Sequence, residues 1–303
     1  MPKFHVERTI EVNAPAENTR RAIQNYGVWD IWSPWLCMEP TTKLEIEGTP
    51  AQPGHAYTWQ GEMTGAGRME LSNSDGNTDN MDLTFIRPFK STANVKFETR
   101  AIDNNNSSVT WHMNGSLPFF MLFMVDTMKA MIGMDYERGL KMLKEYVETN
   151  TVTSNSKIIG VVDVPEIHYT GATAECQLSD ISDSMKTHFE NVNESVQGKT
   201  TEQSCGAIYH DLNIKTQHCK YTAFATVNKS DAKASINHCR ALKIVHTGSY
   251  QHLGNAWATA NTCQRHRKLK KNKKIAPFEL YVNDPIKVAQ KDLITEIYLP
   301  VNA

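Results

Sequence analysis

Near its midpoint this chain loses its hydrophobic periodicity. From Thr149 to Lys157 every residue except Val152 is polar. The charge changes sign across the same stretch. Residues 1–150 carry 14 Lys+Arg against 19 Asp+Glu, and residues 151–303 carry 18 against 14. A chain of 303 residues is long for one core and comfortable for two. The break therefore predicts two domains, residues 1–150 and 157–303, with Thr149–Lys157 as a linker.

The first half opens on an amphipathic strand: Phe4, Val6, Ile10 and Val12 alternate with His5, Glu7, Thr9 and Glu11. Asn13 and Pro15 suit the start of a helix. Trp29, Trp32 and Trp35 follow within seven residues. Strand-like runs then come at His55–Gly61, Gly67–Ser72, Asn80–Phe85, Thr92–Ala101 and Ser108–Gly115. Met121–Glu148 reads as one long helix, with Met124, Met128, Met131, Leu140, Leu143 and Val147 at roughly helical spacing. Gly61, Gly65 and Gly67 lack the Lys-Ser/Thr of a phosphate loop and read as a turn between strands.

This order of elements describes a helix-grip fold. The residues resemble the SRPBCC superfamily of START-like, polyketide-cyclase-like domains. The likeness rests on Arg8–Pro15, the Trp29–Trp35 cluster, Gly54–Gly61, Thr64–Met69, Arg87–Phe89 and Gly139–Glu148. It implies a curved sheet wrapped around the long helix, with an apolar cavity between them. Large aromatic and adaptable methionine side chains suit such walls. The candidates are Trp32, Trp35, Trp59, Trp111, Phe120 and Met124.

The second half looks internally repeated. Ile167–Thr173 precedes a helical pattern at Asp180–Val196, and Ile244–Tyr250 precedes one at Leu253–Arg267. Each copy reads as strand, Thr-Gly turn, helix and strands, so the whole chain is α+β. Within Phe278–Val282, alternation puts Glu279 and Tyr281 on one face and Phe278, Leu280 and Val282 on the other. A strand with one solvated face gives the same pattern.

This half resembles the GyrI-like domain, the effector-binding domain of AraC-type transcription activators. The likeness is carried by His246-Thr247-Gly248-Ser249-Tyr250, the helix with Trp257, the strand at Phe278–Pro285 and the closing Thr295–Val301. It covers Lys157 to Val301. It implies two paired α+β units with a cleft that holds Tyr250, Trp257, Glu279 and Tyr281. His246 is a weaker candidate. The activators' DNA-binding domain is replaced here by the START-like half, so direct nucleic-acid binding is not expected.

Other features narrow the function. The longest apolar run, Leu117–Val125, is too short to span a bilayer. The N-terminus shows no export signal, so a cytoplasmic location with reduced cysteines is expected. Cys263–His266, His218-Cys219 and His238-Cys239 lack a second ligand pair at zinc spacing, so no metal and no cofactor is expected. Arg265–Lys274 holds seven Lys/Arg and reads as a solvated helix end rather than a nucleic-acid patch. The expected role is a sensor or sequestering protein for an apolar or cationic small molecule, with a homodimer as a candidate assembly. The alternatives are a hydrolase that detoxifies a reactive small molecule through Glu279, and a transcriptional co-regulator without its own DNA-binding domain.

Overall fold

A computed structural model describes residues 3–116, 123–196 and 204–302. The chain divides into two compact units between Val152 and Thr153. No helix among the described residues is long and apolar enough to cross a membrane.

The first unit begins with strand β1 (Lys3–Val12), helix α1 (Ala16–Gln24) and the short α2 (Trp29–Trp32). Six strands follow: β2 (Lys43–Glu47), β3 (Ala56–Gln60), β4 (Ala66–Asp75), β5 (Thr78–Arg87), β6 (Ser91–Ala101) and β7 (Ser107–Ser116). Helix α3 (Val125–Thr149) ends the unit. The strands form one antiparallel sheet in the order β1-β7-β6-β5-β4-β3-β2. This is the expected helix-grip arrangement.

The core lies between this sheet and the helices. Trp111 of β7 is sandwiched between Phe97 and Tyr136, with ring centroids 4.7 and 4.1 Å away. Tyr136 belongs to α3, so this stack ties helix to sheet. Trp29 and Trp32 pack beside it, both fully buried. Gly139 permits the close approach: a Cβ there would lie 2.8 Å from the Trp111 ring. Each such buried side chain contributes about 1.5–3 kcal/mol by leaving water.

Two boundaries differ from expectation. The helix starts at Val125, not Met121. Asp126 lies in its first turn, where the helix dipole favours a carboxylate. Residues 121 and 122 lie outside the described residues. The connector is also shorter than Thr149–Lys157. Asn150 closes α3 in the left-handed conformation, and strand β8 (Ser154–Val164) already begins at Ser154. Residues 154–157 look polar because alternate side chains of β8 face solvent.

The second unit continues with β9 (Ile167–Gln177), α4 (Ile181–Val196), β10 (Cys205–Asn213), β11 (His218–Thr226) and β12 (Ala234–Ile236). Then come β13 (Cys239–Gly248), α5 (Leu253–His266), β14 (Phe278–Tyr281) and β15 (Ile294–Val301). The sheet order is β12-β9-β11-β10-β14-β15-β13-β8. Reading outward from the β10–β14 seam, each side gives the same sequence of elements, which is the two-repeat architecture.

The Thr-Gly turn holds for only one repeat. Gly248 ends β13 at φ 135°, but Gly171 lies inside β9, paired with Phe224 of β11. The basic run is solvated as expected, but most of it lies beyond the helix end. The helix stops at His266, and the chain turns to pair with the end of β15, bridging Lys271 to Val301. All seven basic side chains are solvent-exposed.

Candidate functional site

The seam between the repeats is short. Strand β14 pairs with β10 through Cys205–Tyr281, Gly206–Leu280, Ala207–Glu279 and Ile208–Phe278. Alternation along β14 sends Phe278 to one side, where it stacks on Tyr298 at 4.8 Å. Glu279 and Tyr281 take the other side, facing the helices.

Glu279 is fully buried and accepts three hydrogen bonds. The Tyr209 hydroxyl donates to Oε1 at 2.8 Å and the Tyr281 hydroxyl to the same oxygen at 2.6 Å. The Trp257 indole donates to Oε2 at 2.8 Å. Tyr209 comes from the first repeat and Trp257 from α5 of the second. Their rings meet edge-on, 5.0 Å apart. Tyr250 sets its ring 5.3 Å from that of Tyr281. From α4, Phe189 meets Tyr281 edge-on at 5.4 Å, and the Met185 sulfur lies 3.8 Å from the Tyr281 hydroxyl. These rings are partly exposed while the carboxylate beneath them is not.

Burial pushes the Glu279 carboxyl above its ordinary range, and the three donors oppose that shift. Burial and the neighbouring Glu279 charge push the Tyr209 and Tyr281 hydroxyls well up, so they stay donors. The same causes push Tyr250 up to about 12. Among the described residues no Lys, Arg or His forms an ion pair with Glu279. The result is a recessed acceptor surrounded by ring edges and faces.

The structure thus brings together Tyr250, Trp257, Glu279 and Tyr281, with Glu279 away from solvent. It adds Tyr209, Met185 and Phe189, which the sequence reading missed. His246 stands apart. It belongs to a cross-strand row that runs Tyr281, Thr295, His246, Ser156. His246 Nε2 lies 3.3 Å from the Ser154 hydroxyl, and burial lowers its pKa to about 4. His246 Nδ1, Thr295 Oγ1 and Ser156 Oγ are buried without hydrogen-bond partners among the described residues.

The first-unit candidates are dispersed. Trp32 and Trp111 sit in the ring-on-ring core with their faces covered by other rings. Trp59 donates to the Thr64 carbonyl and lies over Gly67, whose missing side chain makes room for the ring. Trp35 is half-buried and donates to Asp135 at 3.2 Å. Met124 is 36% exposed just ahead of α3, so it is not an enclosed wall residue. Phe120 lies outside the described residues.

Comparison with known proteins gives two matches along the chain. The family model for polyketide cyclase/dehydrase and lipid transport matches residues 3–148. The model for the GyrI-like small molecule binding domain matches residues 159–302. No curated protein matches the chain. Among solved structures, the EcmrR–DNA complex in EcmrR-RPo is 17% identical, with 59% of this chain and 69% of that chain covered and a TM-score of 0.41. The EcmrR C-terminal domain is 20% identical, covering 49% and 98%, at 0.40. The Zhui aromatase/cyclase from Streptomyces sp. R1128 is 14% identical, covering 48% and 94%, at 0.39.

Proposed function

We propose that this chain, which joins a polyketide cyclase/dehydrase-type domain to a GyrI-like small molecule binding domain, uses its C-terminal cleft to bind a lipophilic organic cation. The observation that carries this reading is Glu279: a buried carboxylate held by three neutral donors, with no ion-pair partner among the described residues. An ionised carboxylate in such a place lacks a counter-charge, and a bound cation supplies one. Tyr209, Tyr250, Trp257 and Tyr281 offer ring faces, each worth about 0.5–2 kcal/mol to a cation. The partly exposed rings allow a ligand to reach the carboxylate without unfolding the sheet.

Binding rather than catalysis fits the geometry better. Neutral donors engage both Glu279 oxygens and hold the ionised form in place to attract charge.

The test uses tetraphenylphosphonium, whose charge does not titrate, and a neutral tetraphenyl analogue of the same shape. Titration of the full chain should show the cation bound more tightly than its neutral analogue. Glu279→Gln should weaken the cation at least tenfold and the neutral compound little. Equal weakening of both would show that the carboxylate acts through the fold and not through its charge.

A further inference from the structure

The outer face of the N-terminal sheet carries a separate group of side chains. On β1, Phe4 and Val6 face the core, so His5 and Glu7 face outward. The β1–β7 register sets Glu7 opposite His112 and His5 opposite Asn114. Glu7 Oε2 then lies 3.0 Å from His5 Nε2 and 3.1 Å from His112 Nδ1. All three atoms fall within 4.8 Å of one another.

We propose that His5 Nε2, Glu7 Oε2 and His112 Nδ1 form a binding site for a late first-row divalent metal ion of the zinc type. Asn114 presents its amide oxygen to His5 Nδ1 at 2.8 Å. That contact makes Nδ1 the donor and leaves the Nε2 lone pair pointing at Glu7. A lone pair and a carboxylate oxygen 3.0 Å apart repel unless a cation sits between them. A proton can do this, and so can a metal. Donors about 2.0–2.2 Å from zinc stand about 3.2–3.5 Å apart at tetrahedral angles. The two spacings to Glu7 Oε2 need only a small opening to reach that geometry, and the two imidazole nitrogens lie within 4.8 Å of each other.

The surroundings resemble the supports that metal-bound histidines use. Asn114 fixes the ring of His5, as outer partners do for ligating imidazoles. Behind His112, Nε2 has no hydrogen-bond partner among the described residues and faces Glu98 Oε1 across 3.9 Å. A metal on Nδ1 makes Nε2–H a stronger donor toward that carboxylate. Lys96 stands opposite His112 across β6 and β7, and Glu98 engages its ammonium group. Imidazole with carboxylate suits zinc, nickel and copper better than calcium or magnesium. The three protein ligands leave a fourth position to water.

The experiment is a calorimetric titration of the chelator-treated full chain with Zn²⁺, paired with Co²⁺ absorption spectra. One equivalent should bind, and Co²⁺ should show d–d bands without a thiolate charge-transfer band, which separates this site from the six free cysteines. His5→Ala and His112→Ala should each weaken binding at least tenfold. Asn114→Leu should weaken it about tenfold, as loss of an outer partner does. His5 is half-exposed, so its variant keeps the fold even if His112→Ala does not. Binding unchanged in His5→Ala, a thiolate spectrum, or no uptake of Zn²⁺ would each overturn the proposal and leave the group a proton-held ion pair.

Discussion

The Tyr209 hydroxyl, from one half of the C-terminal sheet, donates at 2.8 Å to Glu279 of the other half. The bond crosses the β10–β14 seam, so the charge of Glu279 is set jointly by both repeats. Removing it changes the carboxylate without touching the strand that carries it.

Tyr209→Phe should therefore raise the pKa of Glu279 further. A hydrogen bond to a charged group is worth about 1.5–3 kcal/mol, or roughly one to two pH units. Glu279 is already raised by burial, and the ionised form attracts the cation. Tetraphenylphosphonium affinity should increase with pH through that value, and the midpoint should move upward in the variant. An unmoved midpoint would mean that another group controls the pH dependence.

His246 should make the second unit acid-sensitive. Its folded pKa is about 4, against 6.5 for an exposed histidine. Between those values the unfolded chain holds the proton and the folded chain does not. Stability should fall by about 1.4 kcal/mol per pH unit from 6.5 down to about 4, then level off. Urea unfolding of wild type and His246→Gln across that window should show the slope lost in the variant.

Trp111→Ala should cost the first unit about 3–5 kcal/mol, the usual range for removing a large buried ring. The ring is 1% exposed and stacked on both faces. A loss below about 1 kcal/mol by urea denaturation would mark a ring that lines open space rather than packed core.

We propose that the two units also fold separately. The chain between Asn150 and Thr153 belongs to neither α3 nor β8. Brief proteolysis should cut there before elsewhere and leave two fragments that each unfold cooperatively. Fragments that lose structure on separation would show that each unit needs the other.

Much of this was legible because strands and helices impose simple periods. Alternation alone put Glu279 beside Tyr281, and helical spacing put Trp257 on α5. Tyr209 was not legible, because its approach to Glu279 depends on which strands meet at the seam. His5, Glu7 and His112 were hidden for the same reason: more than a hundred residues separate the two strands that pair them. Strand β2 was missed although Leu44 and Ile46 alternate with Lys43, Glu45 and Glu47, because the alternation runs over only five residues. The tryptophan cluster was visible, but composition does not distinguish a ring that lines a space from one that fills it.

The seam consists of four residue pairs on a four-residue strand. Everything that lies over it comes from both sides: Tyr209, Met185 and Phe189 from one repeat, Trp257, Tyr250 and Tyr281 from the other. If the proposed ligand sits above Glu279, it is a rivet through a four-pair seam of the sheet. It would need to leave before the halves could part, so occupancy and mechanical strength of this domain would rise together.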